Sequence, residues 1–204
     1  MAIRRTEAFR KERALFRAKG GVLRMSEAMR LGLTRKTLYA MRDEGALTQM
    51  SRGLYRLHDL PPLGNPDLVT VAKRVPQGVV CLISALAYHE LTTQVPHEVY
   101  VALEKGAEAP RIAYPPVHLF WFSGPAFREG IDVHKLDGVP VRIYGPEKTI
   151  ADCFKFRNKL GMDVVLEALR LWRDRRGRHV QNLLANARHC RVERGIRPYL
   201  EALL

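Results

Sequence analysis

Basic side chains and one tyrosine recur at helical spacing in the first quarter of the chain. Arg35, Tyr39 and Arg42 occupy positions i, i+4 and i+7, and Lys36 lies beside Arg35. In a helix these side chains would share one side. Cations beside an aromatic hydroxyl can donate hydrogen bonds to phosphates and to base edges, which suits a nucleic acid. A solvated helix face would carry the same pattern, so this stretch by itself leaves both interpretations open.

The glycines and capping residues around this stretch predict a helix-turn-helix. Ser26 can cap a short helix, and Gly32 stands where a left-handed residue would end it. Thr34 can cap the second, basic helix, and Gly45 can close it. Two short helices joined by a tight turn that contains glycine are typical of the helix-turn-helix motif.

A β-hairpin is predicted directly after the second helix. Two short strand-like runs are joined by Ser51, Arg52 and Gly53, a loop of the length and composition that hairpins use. A helix-turn-helix followed by a hairpin predicts a winged helix. Arg52 would lie at the tip of the wing and Arg56 on its return strand, so a basic wing would stand beside a basic helix. This convergence favours DNA binding over a merely solvated face.

The distribution of charge agrees with an anionic partner. The chain has 204 residues and a formal net charge of +13. Residues 1–60 contain 14 Lys and Arg against 6 Asp and Glu, and residues 151–204 contain 12 against 6, whereas the middle is close to neutral. Such an excess favours a polyanion, nucleic acid before membrane. No run is long and apolar enough for a membrane span, and the 47% of hydrophobic residues can form a real core.

The three cysteines indicate a reducing compartment. Cys81, Cys153 and Cys190 are odd in number and widely spaced, and each has apolar or helical neighbours. Buried free thiols are therefore expected, in a cytoplasmic protein.

A change in composition divides the chain after the predicted wing. The segment from His58 to Pro66 is rich in proline and predicts a linker. The expected fold class is α+β, with a winged helix-turn-helix domain at residues 1–60 and an α+β domain at residues 67–204. In that second domain a mixed β-sheet part spans about residues 67–145, and a helical part spans about residues 146–204.

Alternating and apolar runs predict the strands of the second domain. They cover residues 98–103, 117–122, 131–136 and 139–144, which suggests a small, largely antiparallel sheet. Asp137-Gly138 is a hairpin signal between the last two. The apolar run at residues 79–83 suits either a buried strand or the start of a helix. Helical spacing predicts helices at residues 6–18, 67–74, 84–91, 146–160, 163–174, 179–187 and 197–204.

Residues that could support catalysis or bind a metal are scattered. The seven histidines show no ligand spacing with a carboxylate, and no phosphate-binding glycine loop or nucleophile elbow occurs. No metal and no cofactor is expected, and a non-enzymatic protein is favoured. Asp152, Lys155 and Lys159 stand at i, i+3 and i+7, a cluster that a nuclease or phosphoryl-transfer site could use. A surface ion-pair ladder is the simpler interpretation.

Three stretches stand out as a set, and they lie in the predicted wing, in the middle of the chain and at the start of the helical part. They are Arg52-Gly53-Leu54-Tyr55-Arg56-Leu57, the segment from Ile83 to Leu91, and the segment from Tyr144 to Gly161. In this order they resemble the AbiEi family, the antitoxins of a type IV toxin–antitoxin and phage-defence class. The resemblance covers nearly the whole chain from about residue 10.

This resemblance implies a bacterial protein with two activities. The winged helix would bind inverted repeats in double-stranded DNA at the promoter of its own operon and repress it. The C-terminal part would oppose a nucleotidyltransferase-like toxin without forming a stable complex. Apart from the resemblance, the basic helices of that part could compete for an RNA or nucleotide that the toxin needs, and a solvated helix face would carry the same charges. A monomer is expected, and pairing on DNA is left open. Some family members carry larger C-terminal regions than this chain.

Two sets of residues follow as expected sites. The expected DNA-binding residues are Thr34, Arg35, Lys36, Tyr39, Arg42, Ser51, Arg52 and Arg56. The expected antitoxin surface consists of Lys148, Asp152, Lys155, Arg157, Asn158 and Lys159. Two other classes of protein stay open: a nucleic-acid-processing enzyme that uses the winged helix for targeting, and a protein-interaction module whose basic faces meet an acidic partner.

Overall fold

The computed structural model describes residues 9–203 and forms two compact units. The first unit contains the chain up to Pro76 together with the short segment Lys135–Pro140. The second unit contains Gln77–His134 and the chain from Val141 onward. Parts of two predicted helices, residues 6–8 and residue 204, lie outside the described residues.

The first unit is a winged helix, as predicted. Its antiparallel three-stranded sheet has the order β1-β3-β2. The elements are α1 (Arg10–Ala18), β1 (Val22–Arg24), α2 (Met25–Arg30), α3 (Arg35–Asp43), β2 (Leu47–Ser51), β3 (Leu54–Leu57) and α4 (Pro66–Arg74). The strand β1 was not predicted, because three residues after two glycines show no alternation that could be detected.

The core of this unit lies between the helices and the sheet. Phe16 of α1, Leu38 and Met41 of α3, and Leu54 and Leu57 of β3 are fully buried. Burying an aliphatic or aromatic side chain of this size contributes about 1.5–3 kcal/mol, so the apolar stripes of α1 and α3 are what hold the helices on the sheet.

The start of α2 differs from the prediction. The helix begins at Met25, one residue too early for Ser26 to cap it. The N-cap residue is Arg24, whose backbone N–H donates to the Glu27 carboxylate at 2.8 Å. Glu27 therefore does the capping from the third helical position, where a carboxylate also suits the helix dipole.

Helix α4 belongs to the first unit, although the predicted boundary put its residues in the second domain. Lys73 Nζ lies 3.7 Å from the Glu27 carboxylate, and the Arg74 guanidinium donates to Ser51 Oγ at 3.1 Å. These contacts join α4 to the helix-turn-helix and to the wing. The division in the structure thus differs from the expected limits of 1–60 and 67–204.

The second unit packs helices on a five-stranded sheet of order β6-β5-β4-β8-β7. The turn of its last hairpin is the short segment grouped with the first unit. The elements are β4 (Val79–Val80), α5 (Leu82–Tyr88), β5 (Val99–Glu104), β6 (Val117–Phe122), α6 (Pro125–Arg128), β7 (Ile131–Leu136), β8 (Val139–Tyr144), α7 (Pro146–Lys155), α8 (Arg157–Leu160), α9 (Met162–Arg173), α10 (Val180–His189) and α11 (Glu193–Leu203).

The sheet is mixed, as the expected fold class states, and not largely antiparallel as the strand runs suggested. Strand β4 pairs antiparallel with β5 but parallel with β8, and β5 pairs parallel with β6. The chain between β5 and β6 is long enough for the crossover that a parallel pair needs. The ambiguous apolar run is divided, since Val79 and Val80 form β4 and α5 begins at Leu82.

The last hairpin and the thiols follow the predictions. Asp137 and Gly138 both have positive φ, 48° and 81°, as a two-residue type I′ turn requires. Cys81, Cys153 and Cys190 are buried free thiols.

Among residues 9–203, no helix is both long and apolar enough to cross a membrane. No group of His, Cys, Asp and Glu in that part of the chain has a geometry for holding a metal ion.

Candidate DNA-binding site

The predicted recognition helix is α3, and its ends are fixed locally. Thr34 is the N-cap, and its Oγ1 accepts a hydrogen bond from the Thr37 N–H at 3.1 Å. Gly45 follows the helix with φ at +73°, a conformation that glycine adopts without strain. Replacing a threonine cap by alanine typically costs about 1 kcal/mol, so this cap helps to fix where the basic side chains point.

Four predicted residues share the exposed side of α3. Arg35, Lys36, Tyr39 and Arg42 are all exposed, and Tyr39 is 42% exposed. The Arg42 guanidinium lies 5.1 Å from the centre of the Tyr39 ring and donates to the Asp43 carboxylate at 2.7 and 2.9 Å. This pair is open to solvent, where such pairs are weak, so Arg42 can exchange Asp43 for a phosphate.

The wing places one cation at its tip. Gly53 has φ at +69°, and its carbonyl accepts the Met25 N–H at 2.8 Å, which ties the wing to the start of α2. Arg52 is exposed in this turn, whereas Ser51 is half-buried and accepts the hydrogen bond from Arg74. The Ser51 hydroxyl is therefore already engaged within the protein, whereas Arg52 at the tip faces solvent.

Arg56 does not lie beside the other residues predicted to bind DNA. Its guanidinium donates to the backbone carbonyls of Leu60, at 3.4 Å, and Pro61. The side chain is half-buried, and its Nε is buried. Because strands alternate sides, Arg56 projects opposite to its neighbour Tyr55 and fixes the segment after the wing. The expectation that Arg56 faces DNA alongside Arg52 is therefore corrected.

A cleft separates α3 from the wing. It holds three guanidinium groups and two phenols, and no carboxylate is among its lining residues, which are Met25, Tyr39, Arg42, Gln49, Arg52, Gly53, Tyr55 and Arg74. Tyr55 and Arg74 were missed as site residues. Tyr55 reads as an ordinary core residue, and Arg74 lies far from the wing in sequence, so no local pattern connects either with Tyr39 or Arg42.

The expected antitoxin surface is only partly a surface. The side chains of Lys148 and Asp152 are 0% and 1% exposed and form an ion pair inside the second unit. The Cys190 thiol donates to Asp152 Oδ1 at 3.0 Å, and the Lys148 ammonium lies 4.1 Å from the centre of the Tyr144 ring. Their four-residue spacing suits an exposed helical ladder, but they lie on the face of α7 that packs into the core. Placing them on a surface was wrong.

The electrostatics of this buried group follow from its desolvation. Burial raises the pKa of Asp152, while the contacts with Lys148 oppose that shift. Burial also raises the pKa of the Cys190 thiol to about 12, so the thiol remains protonated and can donate its hydrogen bond. With Asp152 enclosed, the cluster of Asp152, Lys155 and Lys159 that could have served a phosphoryl-transfer site is not assembled on the described surface.

The remaining predicted residues lie at the end of α7 and in α8. Lys155, Asn158 and Lys159 are exposed. Arg157 is half-buried, because its guanidinium donates to the Phe154 carbonyl at 2.9 Å and lies 4.6 Å from the centre of the Phe154 ring. The exposed basic patch is therefore smaller than expected and consists of Lys155, Asn158 and Lys159 with Arg157 at its edge.

Comparison with solved structures finds a protein of similar fold. The crystal structure of the RV2827C protein from Mycobacterium tuberculosis is similar, with a TM-score of 0.54 and 14% sequence identity over 96% of this chain and 81% of that chain. At that identity the likeness concerns the fold alone. No curated protein matches the chain.

The N-terminal segment gives the more specific match. Residues 10–58 match the sequence model of a family described as transcriptional regulator, AbiEi antitoxin. The matched segment runs from α1 to the end of the wing and contains every residue of the exposed side of α3. Over this winged-helix segment the chain is similar to the AbiEi family of antitoxin transcriptional regulators.

Proposed function

We propose that the protein represses its own operon by binding inverted repeats in the promoter, and that it counteracts a nucleotidyltransferase-like toxin without a stable complex. The observation that carries the repressor half is the shared exposure of Arg35, Lys36 and Tyr39 on α3 beside Arg52 at the wing tip. An inverted repeat offers two equivalent half-sites, so two copies of a monomer would pair on the DNA, one on each half.

The two basic elements have different tasks in this proposal. Helix α3 enters the major groove, where Arg35 can donate two hydrogen bonds to O6 and N7 of a guanine. Arg52 at the wing tip reaches a phosphate or the minor groove beside it. Base contacts specify the operator, whereas the wing adds affinity that depends on salt rather than on sequence.

Changing Arg52 to Ala should weaken binding to operator and unrelated DNA by a similar factor. It should also make the plot of log affinity against log salt concentration shallower by about one unit, because one phosphate contact releases about one counterion. Fluorescence anisotropy over a range of salt concentrations measures both. Arg170→Ala removes an exposed arginine from α9 and is the charge-matched control. An Arg52→Ala protein with the slope of the control would place the wing off the DNA.

The antitoxin half of the proposal uses the patch of Lys155, Asn158 and Lys159. Two exposed ammonium groups beside an amide can bind the phosphates of an RNA or a nucleotide. By binding a substrate that the toxin needs, this patch would protect the cell without a stable complex with the toxin itself. The Arg157 guanidinium already donates a hydrogen bond to the Phe154 carbonyl and would contribute only its remaining donors.

The triple change Lys155→Ala, Asn158→Ala and Lys159→Ala should therefore reduce rescue of cells that express the toxin encoded by the neighbouring gene. The folded state is checked first by thermal unfolding, which should hardly change because these side chains are exposed. Lys105→Ala with Arg170→Ala removes the same charge from exposed positions of the same unit. Full rescue by the triple variant would reject this patch as the antitoxin site.

A further inference from the structure

We propose that the cleft between α3 and the wing is a subsite for one backbone phosphate of the bound DNA, held by the Arg74 guanidinium and the Tyr55 hydroxyl. This inference rests on the proposed DNA binding and extends the site beyond the wing to helix α4. Both residues lie in the first unit, and Arg74 lies outside the segment that matches the family.

Arg74 has the position and the spare donors that a phosphate contact needs. One of its amino groups donates to Ser51 Oγ at 3.1 Å and to the Arg52 carbonyl. Those two bonds fix the guanidinium directly beneath the wing turn. Its Nε is buried and has no hydrogen-bond partner, and within residues 9–203 no carboxylate forms an ion pair with it. A guanidinium carries five N–H donors, so the protein leaves part of this one unused.

The surroundings of Arg74 contain an excess of positive charge, which also favours an anion. Burial lowers the pKa of Arg74, and the nearby cation Arg24 adds to that effect. Both burial and the neighbouring cation disfavour the charged guanidinium in the free protein. Arg42 and Arg52 line the same cleft. An anion bound there would meet three guanidinium groups, and a phosphate is the anion that DNA supplies at regular spacing.

Tyr55 provides an independent indication. The residue is only 2% exposed, yet it lines the cleft. Within the described residues its hydroxyl makes no hydrogen bond, and the oxygen is accessible from the cleft rather than sealed in the core. Burial raises the pKa of Tyr55, so the hydroxyl is protonated and can donate. A phosphate oxygen in the cleft would give this donor the acceptor that the free protein does not.

Tyr55→Phe is the sharpest test, because it removes one oxygen atom and keeps the ring in the core. We expect affinity for both operator and unrelated duplexes to fall by about three- to tenfold, as for the loss of one hydrogen bond. The midpoint of thermal unfolding should stay the same or rise, since no partner inside the protein loses a bond. Tyr199→Phe, on the partly exposed Tyr199 of α11, is the matched control.

Arg74→Met tests the second contact. It keeps the aliphatic part of the side chain and should lower affinity for both duplexes by tenfold or more, with a salt slope about one unit shallower. Arg170→Met is the control for the loss of charge. Tyr55→Phe, Arg74→Met and their controls are all measured in the full chain by fluorescence anisotropy with labelled duplexes.

The outcomes separate this subsite from the proposed function. Wild-type affinity of Tyr55→Phe for both duplexes would overturn the hydroxyl contact. A weaker Arg74→Met with an unchanged salt slope would mean that Arg74 only positions the wing, which overturns the phosphate contact. Either result leaves DNA binding itself intact. Failure of the wild-type chain to bind any duplex would instead overturn the proposed function, and this subsite with it.

Discussion

Changing Asp152 to Ala should lower the free energy of unfolding by about 3–5 kcal/mol, which is the usual cost of breaking a buried ion pair by removing one partner. The Lys148 ammonium would remain enclosed with a side chain that is 0% exposed. Its contact with the face of Tyr144 cannot replace a carboxylate. The Cys190 thiol would also lose its acceptor, so two groups around α7 would be left without their partner.

Urea unfolding followed by circular dichroism measures this loss. The double variant Lys148→Met with Asp152→Leu should recover most of it, because apolar residues of similar volume often replace a buried pair at little cost. Asp174→Ala removes an exposed carboxylate that pairs with Arg173 and should change the midpoint little. An Asp152→Ala protein with the wild-type midpoint would contradict the burial of the pair.

Changing Arg35 to Ala should weaken binding to the operator by about 1–3 kcal/mol, the range expected when an arginine that reads a base is removed. Arg35 lies in the first turn of α3, one residue after the Thr34 cap. In helix-turn-helix proteins the N-terminal residues of the recognition helix contact base edges. Binding to unrelated DNA should fall much less, since no base contact is lost there.

The comparison of the two duplexes decides what Arg35 does. Gel shift or anisotropy with operator and scrambled DNA gives both affinities at one salt concentration, and Arg170→Ala again serves as the charge-matched control. Equal weakening on both duplexes would make Arg35 a phosphate contact rather than a reader of bases. Unchanged affinity on both would mean that α3 is not the recognition helix.

The parts of the fold that local chemistry determines were predictable. Thr34 and Gly45 define α3 through a cap and a left-handed residue, which leave a signature within a few positions. The strand at residues 117–122 and the hairpin around Asp137 and Gly138 follow from alternation and turn chemistry. In each of these cases the residues that make the structure are neighbours in the sequence.

The parts that depend on distant contacts were not predictable. The parallel pairing of β5 with β6 depends on how the chain between them crosses, and alternation within a strand carries no information on direction. Lys148 and Asp152 have the spacing of a surface pair, and only the packing of α7 reveals that they are buried. Arg74 reaches Ser51 from another helix, so its place in the site appears only when the chain is folded.

Nuclease protection of the DNA upstream of the protein's own gene tests the central claim most directly. The account predicts that the full chain protects an inverted repeat within the promoter, and that Arg35→Ala and Arg52→Ala shift this protection to higher protein concentration while Arg170→Ala does not. Promoter DNA that stays unprotected, or equal protection by all three variants and the wild type, would contradict the assignment of α3 and the wing as the operator-binding site.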